Sequence, residues 1–178
     1  MQTARLEFAP VGAHHAAEYQ AVMSSDEMGA HTDVPCQPNA KRAAGFVAWM
    51  ARLNSSGKGR AWALLHEDAV IGFIRLNRID KKMSRASVGY EFGQAYWGQG
   101  LATEAVRALV DHAHDALSLH RLEAVVFNGN DASARVLEKA GFLHEGVQRE
   151  RILHRGVRRD IWHFGRLASD PMRDTRGG

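Results

Sequence analysis

Apolar residues repeat with two different periods along this chain, and each change of period marks a new element. Spacing of three and four residues predicts helices over residues 13–24, 40–53, 101–117 and 130–140. Alternation or short apolar runs predict strands over residues 6–8, 60–66, 70–78, 86–92, 121–127, 148–153 and 161–167. Residues 24–39 are rich in small and polar side chains, and Pro35 and Pro38 interrupt them, so this segment is predicted to be irregular.

The order of these elements, βαα-βββ-αβ-αββ, predicts one mixed α/β domain. No linker-like stretch divides the chain, so the domain is predicted to span residues 1–168. Residues 169–178 are polar, charged or glycine apart from Pro171 and Met172. We expect this tail to be disordered.

A glycine-containing turn separates the predicted strand 86–92 from the strongly amphipathic helix 101–117. Glycine permits backbone angles that other residues avoid, and it lets a ligand approach the main chain. The free N–H groups of a helix's first turn, at the positive end of its dipole, bind anions such as phosphates. A tight turn without a ligand is the alternative. We predict a pyrophosphate-binding turn, formed by Trp97, Gly98, Gln99, Gly100, Leu101, Ala102 and Thr103.

Two common phosphate-binding loops do not fit this turn. A P-loop ends in Gly-Lys-Ser/Thr, which is missing here. A dinucleotide fingerprint needs a third glycine where Thr103 stands, and an acidic residue about 20 residues further on. The turn resembles instead the acetyl-CoA loop of the GCN5-related N-acetyltransferases (GNAT), Arg/Gln-x-x-Gly-x-Gly/Ala, since Gly100-Leu101-Ala102 fits its second half. Trp97 stands in the place of Arg or Gln, a substitution typical of the ribosomal-protein serine/alanine N-terminal acetyltransferase-like branch.

The resemblance continues through the second half of the chain. Matching motifs include Asn130-x-x-Ser133, Val136 to Phe142 (Val-Leu-Glu-Lys-Ala-Gly-Phe), Glu145-Gly146 and Asp160. Several motifs in the correct order are more specific than one turn, whereas the first helical region matches only in general pattern. The resemblance implies a single domain with a mixed, mostly antiparallel sheet. This sheet would be splayed between two parallel strands, with helices on both faces.

The resemblance also implies a chemistry, in which acetyl-CoA donates its acetyl group directly to a primary amine. The backbone of Tyr90, Glu91 and Phe92 would follow the pantetheine arm where the two parallel strands separate. Ser133 would protonate the departing thiolate, and Asn130 would contact the pantetheine arm. Both residues have a structural alternative, because such side chains often bond to backbone in a helix's first turn.

Three interpretations remain open for the general base that takes the amine proton. Glu91 lies on the polar face of the splaying strand, close to the expected thioester. Glu123 on the partner strand is a second candidate, further from the splayed end. Some family members carry a catalytic glutamate where this chain has Val125, so that role does not transfer. A water relay without a dedicated base is the third interpretation.

Composition narrows the class of protein. With 45% hydrophobic and 24% charged residues, the chain has the composition of a soluble globular domain. No apolar run approaches the ~18 residues of a membrane helix, and residues 1–7 lack the apolar core of a signal peptide, so we expect a cytoplasmic location. The one cysteine, Cys36, excludes an internal disulfide. No metal is expected, because His112 and His114 are two apart on a helix and point to different sides.

The identity of the partner is less defined. Six arginines near the carboxyl end would hold a cofactor phosphate, an acidic substrate or ribosomal RNA, or would be solvated charge: Arg149, Arg151, Arg155, Arg158, Arg159 and Arg166. The acceptor is expected to be a protein N-terminal α-amine, ribosomal or other, or a small-molecule amine, chosen by residues 23–39 and the final hairpin. No DNA or membrane partner is expected, and an exposed strand edge would permit a homodimer. A non-catalytic acyl-CoA sensor and an RNA-associated basic protein remain as alternatives.

Overall fold

The computed structural model describes residues 1–30, 32 and 36–171, and this part of the chain forms one seven-stranded sheet with α-helices on both faces. The strands are β1 (Glu7–Pro10), β2 (Arg60–His66), β3 (Ala69–Asp80), β4 (Arg85–Phe92), β5 (Arg121–Phe127), β6 (Leu143–His154) and β7 (Val157–Leu167). The α-helices are α1 (Ala16–Val22), α2 (Ala40–Ser56), α3 (Leu101–Asp111) and α4 (Asp131–Lys139).

The sheet has the order β1-β2-β3-β4-β5-β7-β6, and β4 and β5 form its parallel pair. Their pairing runs from Arg85 opposite Arg121 to Ser87 opposite Glu123 and then ends. β4 continues to Phe92 without pairing to β5, so a gap opens between the two strands. The predicted splay between two parallel strands is confirmed.

Each face of the sheet has its own apolar core. On one face α3 and α4 cover a cluster that includes Leu109, Leu137 and Phe142, all fully buried. On the other face α1 and α2 cover a smaller cluster around Tyr19 and Phe73. Strand alternation assigns successive residues of β4 to opposite faces, so neighbouring positions on this strand serve the two cores separately.

Capping residues set where the helices begin and end. The Asn39 side chain accepts a hydrogen bond from the Arg42 N–H at 2.9 Å and starts α2. The helix ends at Gly57, whose φ of 70° is the left-handed conformation of a helix terminus. The Asn130 side chain likewise accepts from the Ser133 N–H at 3.1 Å and starts α4.

Several predicted boundaries were wrong. Residues 13–24 form a 3₁₀ turn (Ala13–His15) followed by the short helix α1, and a 3₁₀ turn (Glu27–Ala30) lies in the segment predicted to be irregular. The helix predicted over 101–117 is α-helical only to Asp111 and continues as a π-helical turn (His112–Ala116), a widening that apolar spacing does not reveal.

The last two strands are longer than predicted. β6 begins five residues before the predicted start at Gln148, and β7 begins at Val157 instead of Ile161. The extensions are mostly exposed, and their apolar residues, Leu143, Val147 and Val157, are too few to form a clear pattern. The tail predicted to be disordered is residues 169–178. Of these, residues 172–178 lie outside the described part of the chain.

Candidate active site

The turn before α3 presents a row of backbone donors. Gly98 and Gly100 have φ values of 73° and 77°, so both occupy the left-handed region that favours glycine. A Cβ built on Gly98 would meet no atom within 4 Å, which means that it would project into the open space beside the turn. In the described structure, the N–H groups from Gly98 to Thr103 donate to no protein acceptor. This arrangement fits an anionic group held by main-chain N–H donors.

Trp97 stabilises this turn with its side chain. Its indole Nε1 donates to the Phe92 carbonyl at 2.8 Å, and 43% of the residue remains exposed. Gln99 closes the same turn, because its Nε2 donates to the Ala95 carbonyl at 2.9 Å. Trp97 therefore joins the end of β4 to the start of α3. Leu101 is buried below the turn, and Ala102 is partly buried beside it.

The amino-terminal segment braces the turn through Glu104. Arg5 Nε donates to Glu104 Oε2 at 2.7 Å, and Thr3 Oγ1 donates to Oε1 at 2.6 Å. Arg5 Nη1 also donates to the Gln99 carbonyl at 3.1 Å. Burial raises the pKa of Glu104, but the hydrogen bonds from Thr3 and Arg5 outweigh it and lower this pKa below its ordinary value. Sequence reasoning missed this contact, which joins residues about a hundred positions apart.

Tyr90 and Ser133 meet on the α4 side of the gap between β4 and β5. Their hydroxyl oxygens lie 2.7 Å apart, and the Tyr90 hydroxyl also donates to the Ser133 carbonyl at 3.2 Å. Burial raises the pKa of Tyr90, although the hydrogen bond with Ser133 lowers it, so the phenol stays protonated at neutral pH. Ser133 is held in the first turn of α4 by the Asn130 cap. Tyr90 was predicted as a backbone contact, and its side-chain bond was missed.

Glu91 forms a buried ion pair on the opposite face of β4. Arg75 Nη1 donates to Glu91 Oε2 at 2.5 Å, and the two side chains are 9% and 4% exposed. A Cβ built on Gly89 would lie 3.0 Å from the guanidinium carbon of Arg75, so the glycine leaves room for Arg75 to cross β4. Phe92, the next residue, is buried in the other core. The sequence prediction placed Glu91 on this face but did not foresee Arg75.

Three aromatic rings cover the ion pair. Tyr19 stacks on Phe46 with ring centroids 4.9 Å apart, and Phe46 contacts Trp49 at 5.0 Å. The Arg75 guanidinium carbon lies 5.5 Å from the Phe46 ring centroid and 5.7 Å from that of Trp49, within the range of cation–π contacts. Glu91 therefore lies beneath these rings, on the side of the sheet that α1 and α2 cover.

The second base candidate, Glu123, lies at the closed end of the gap. It forms ion pairs with Arg121 at 2.9 Å and with Arg85 at 3.9 Å. Arg121 also bonds to Glu145, with a closest distance of 2.5 Å, and this bond lowers the pKa of Glu145. These partners hold Glu123 where β4 and β5 are still paired.

The carboxyl-terminal arginines divide into two groups. Arg166 is only 3% exposed, and its Nη1 donates to the Gly141 carbonyl at 3.1 Å, so reading it as solvated charge was wrong. The other arginines are exposed on the β6–β7 hairpin: Arg149, Arg151, Arg155, Arg158 and Arg159. Burial raises the pKa of Cys36, and the positive charge of Arg155 lowers it.

The described residues contain neither a cluster of metal ligands nor a helix that could span a membrane. Within residues 1–30, 32 and 36–171, no three or more His, Cys, Asp or Glu side chains are grouped as metal ligands. Over the same part of the chain, no helix is both long and apolar enough to cross a bilayer. His114 instead bonds to the Leu119 carbonyl at 2.7 Å through Nδ1, and His112 packs edge-on against Trp62.

Comparison with known proteins identifies the family of this chain. Residues 5–143 match the model of the acetyltransferase (GNAT) domain. The uncharacterized N-acetyltransferase YoaA of Bacillus subtilis is 31% identical over 159 residues, 88% of this chain and 90% of that protein. The ribosomal-protein-serine acetyltransferase of Escherichia coli is 30% identical over 98 residues, 55% of each chain. The chain belongs to the GNAT family, and it is an N-acetyltransferase, an acyltransferase.

Solved structures show the same fold. RimL, a ribosomal L7/L12 α-N-protein acetyltransferase in complex with coenzyme A, superposes with a TM-score of 0.86 at 21% identity over 93% of this chain and 95% of its own. The Microcin C7 self-immunity acetyltransferase MccE, in complex with acetyl-CoA and AMP, has a TM-score of 0.85 at 19% identity over 93% of each chain. The predicted family, branch and fold are confirmed.

Proposed function

We propose that this enzyme transfers the acetyl group of acetyl-CoA directly to a primary amine. One observation carries the proposal: β4 stops pairing with β5 after Ser87, and both the Tyr90–Ser133 contact and the donor-lined turn at Gly98–Thr103 follow that point along the chain. A thioester held along this gap would have Ser133 on one sheet face and Glu91 on the other.

The residues present fit coenzyme A. The N–H groups from Gly98 to Thr103 would hold the pyrophosphate, aided by the positive end of the α3 dipole. The unpaired edge of β4 from Tyr90 to Phe92 would donate and accept hydrogen bonds along the pantetheine arm. Acetyl-CoA supplies the acetyl group already activated as a thioester. The two glycines leave the main chain open to it.

Ser133 is the proton donor in this proposal. If the Tyr90 proton goes to the Ser133 carbonyl, the serine O–H donates to the Tyr90 oxygen across their 2.7 Å contact and is held beside the gap. The Asn130 cap fixes the serine backbone, which leaves its side chain limited freedom to turn. Ser133 would then protonate the departing thiolate, and Tyr90 would act as the residue that positions it.

Glu91 is the proposed general base. Arg75 engages Oε2, and among the described residues Oε1 of Glu91 accepts no hydrogen bond. Oε1 is thus able to take a proton from an amine that arrives from the α1–α2 side. A water relay is the alternative, since a water molecule bonded to Glu91 would perform the same transfer over a longer path.

We further propose that the acceptor is a protein N-terminal α-amine or a small-molecule amine. Support for a protein acceptor comes from relatives named as ribosomal-protein acetyltransferases, including the Escherichia coli [ribosomal protein uS5]-alanine N-acetyltransferase, 28% identical over 121 residues, 63% of this chain and 62% of that protein. The domain boundary at residue 168, a cytoplasmic location and a homodimer through an exposed sheet edge stay predictions of the sequence.

The test is a coenzyme A release assay with acetyl-CoA and a panel of peptides and small amines, with mass spectrometry of the products. We expect an acetylated amine, and we expect Ser133→Ala to reduce kcat about 10²- to 10⁴-fold without weakening acetyl-CoA binding. Ser55→Ala, an exposed serine on α2, is the matched control. Acetyl-CoA binding without transfer to any amine would favour a sensor, and an unchanged rate in Ser133→Ala would remove its assigned role.

A further inference from the structure

A cavity of about 490 Å³ opens between α1 and α2, on the same side of the sheet as Glu91. Aromatic side chains dominate its walls, and an arginine, a glycine and a proline complete them: Tyr19, Phe46, Trp49, Arg42, Gly45 and Pro38. The Phe46 and Trp49 rings that form this wall also cover Arg75, the partner of Glu91. The cavity and the ion pair of the proposed base therefore share these two rings.

Tyr19 supplies a buried part of this cavity wall. The residue is only 1% exposed, and its hydroxyl makes no hydrogen bond among the described residues. Buried polar atoms are nearly always hydrogen-bonded, since leaving one unbonded costs free energy. Burial raises the pKa of Tyr19, so the group is a neutral phenol whose hydroxyl is enclosed behind the cavity wall.

Arg42 and Gly45 complete the recognition surface from α2. Arg42 is exposed, and its guanidinium forms no ion pair within the described structure. Gly45 lies inside α2, where glycine weakens a helix relative to alanine. A Cβ built on Gly45 would meet no atom within 4 Å, so the missing side chain leaves the cavity open at this point.

We propose that this cavity is the acceptor subsite, and that it selects amines whose body carries both an aromatic ring and a carboxylate. The ring packs against Phe46 and Trp49 in an arrangement that aromatic pairs favour. The carboxylate pairs with the exposed Arg42. This inference rests on the proposed function, because Glu91 then lies beside the amine that is to be acetylated.

The contributions of the ring and of the carboxylate are tested independently with four dipeptides: alanyl-phenylalanine, its carboxamide, alanyl-alanine and its carboxamide. Free phenylalanine, compared with alanyl-phenylalanine, distinguishes an amino acid acceptor from a peptide. Their dissociation constants are measured by calorimetry without acetyl-CoA, and kcat/KM is measured separately with it. Two variants each remove one feature: Gly45→Leu fills the cavity, and Arg42→Gln removes the cation. Ala44→Leu and Lys41→Gln, exposed neighbours on α2 that do not line the cavity, are the matched controls.

Gly45→Leu is expected to weaken binding of the two ring-bearing dipeptides about tenfold, and to leave the alanyl-alanine pair within twofold of wild type. Its melting temperature should rise, since leucine favours a helix more than glycine does, so any loss of binding is not a loss of fold. Arg42→Gln is expected to weaken binding of the two acids about tenfold and to spare both carboxamides. The controls should match wild type.

An equal change for all four dipeptides in either variant, or no change in any, would overturn the subsite. The failure of the enzyme proposal would look different, because the calorimetric titrations do not depend on transfer. Selective binding without acetylation would refute the proposed function and keep the subsite. Acetylation of amines at rates that neither variant changes would keep the proposed function and refute the subsite.

Discussion

Removing one member of the buried Arg75–Glu91 pair should destabilise the fold strongly, and removing both should not. The two side chains are 9% and 4% exposed, so Glu91→Leu leaves a guanidinium buried without its carboxylate. Breaking a buried pair on one side typically costs about 3–5 kcal/mol. Replacing both charges by apolar groups of similar size is often neutral, so the double variant Arg75→Met/Glu91→Leu should lie within about 1 kcal/mol of wild type.

Comparing the single and double variants, a double-mutant cycle, separates the structural role of Glu91 from its proposed catalytic role. The free energy of unfolding is measured by urea denaturation, and transfer is measured by coenzyme A release. The double variant should recover its stability while kcat/KM stays about 10²- to 10⁴-fold below wild type, the usual contribution of a general base. Glu91→Gln, which keeps the shape and removes the charge, should be equally slow.

Two results would refute this reasoning. A double variant that is as active as wild type would show that Glu91 acts only through the fold, and a water relay would replace it as base. Additive losses of stability in the double variant, without a coupling free energy of about 3 kcal/mol, would mean that the two charges do not stabilise each other in the native state.

Three further predictions concern the cofactor turn and its support. Gly100→Ala forces alanine into the left-handed region at a cost of about 1–2 kcal/mol. The control Gly57→Ala has nearly the same backbone angles, so both variants should lower the melting temperature equally. Calorimetry should show weaker acetyl-CoA binding only for Gly100→Ala. Tyr90→Phe should lower kcat about tenfold with little change in the KM for acetyl-CoA, and an unchanged kcat would contradict its positioning role. The depressed pKa of Glu104 contributes stability that is present above the pKa of the unfolded carboxyl and is lost as the pH falls through the folded value. Glu104→Gln should lack this contribution, about 1 kcal/mol, at pH 7, and its difference from wild type should vanish in acid. Urea titrations at several pH values would measure both.

Local patterns predicted the parts of the fold and site that depend on neighbours in sequence. The spans of β2 and β5, the asparagine cap at Asn130 and the turn with Gly98 and Gly100 were all predictable, because periodicity, capping and glycine chemistry act over a few residues. The family resemblance added the splay of β4 from β5, which no local pattern contains.

Contacts between distant segments were not predictable in the same way. The Arg75–Glu91 pair depends on the register of β3 against β4, and the clamp on Glu104 depends on where the amino-terminal segment lies. The cavity next to Tyr19 needs α1 and α2 placed against the sheet. One weak local signal existed: Gly45 inside an otherwise good helix is unfavourable for folding and indicates a need for space.

The most direct test of the central claim is thermal unfolding with acetyl-CoA, with NAD and ATP measured in parallel. A ligand at a hundred times its dissociation constant stabilises the native state by about 2.7 kcal/mol. For a chain of 178 residues this raises the melting temperature by roughly 5–10 °C. We predict a shift of this size with acetyl-CoA and none with NAD or ATP. No shift at millimolar acetyl-CoA would contradict the assignment of the Gly98–Thr103 turn, and with it the proposed acetyl donor.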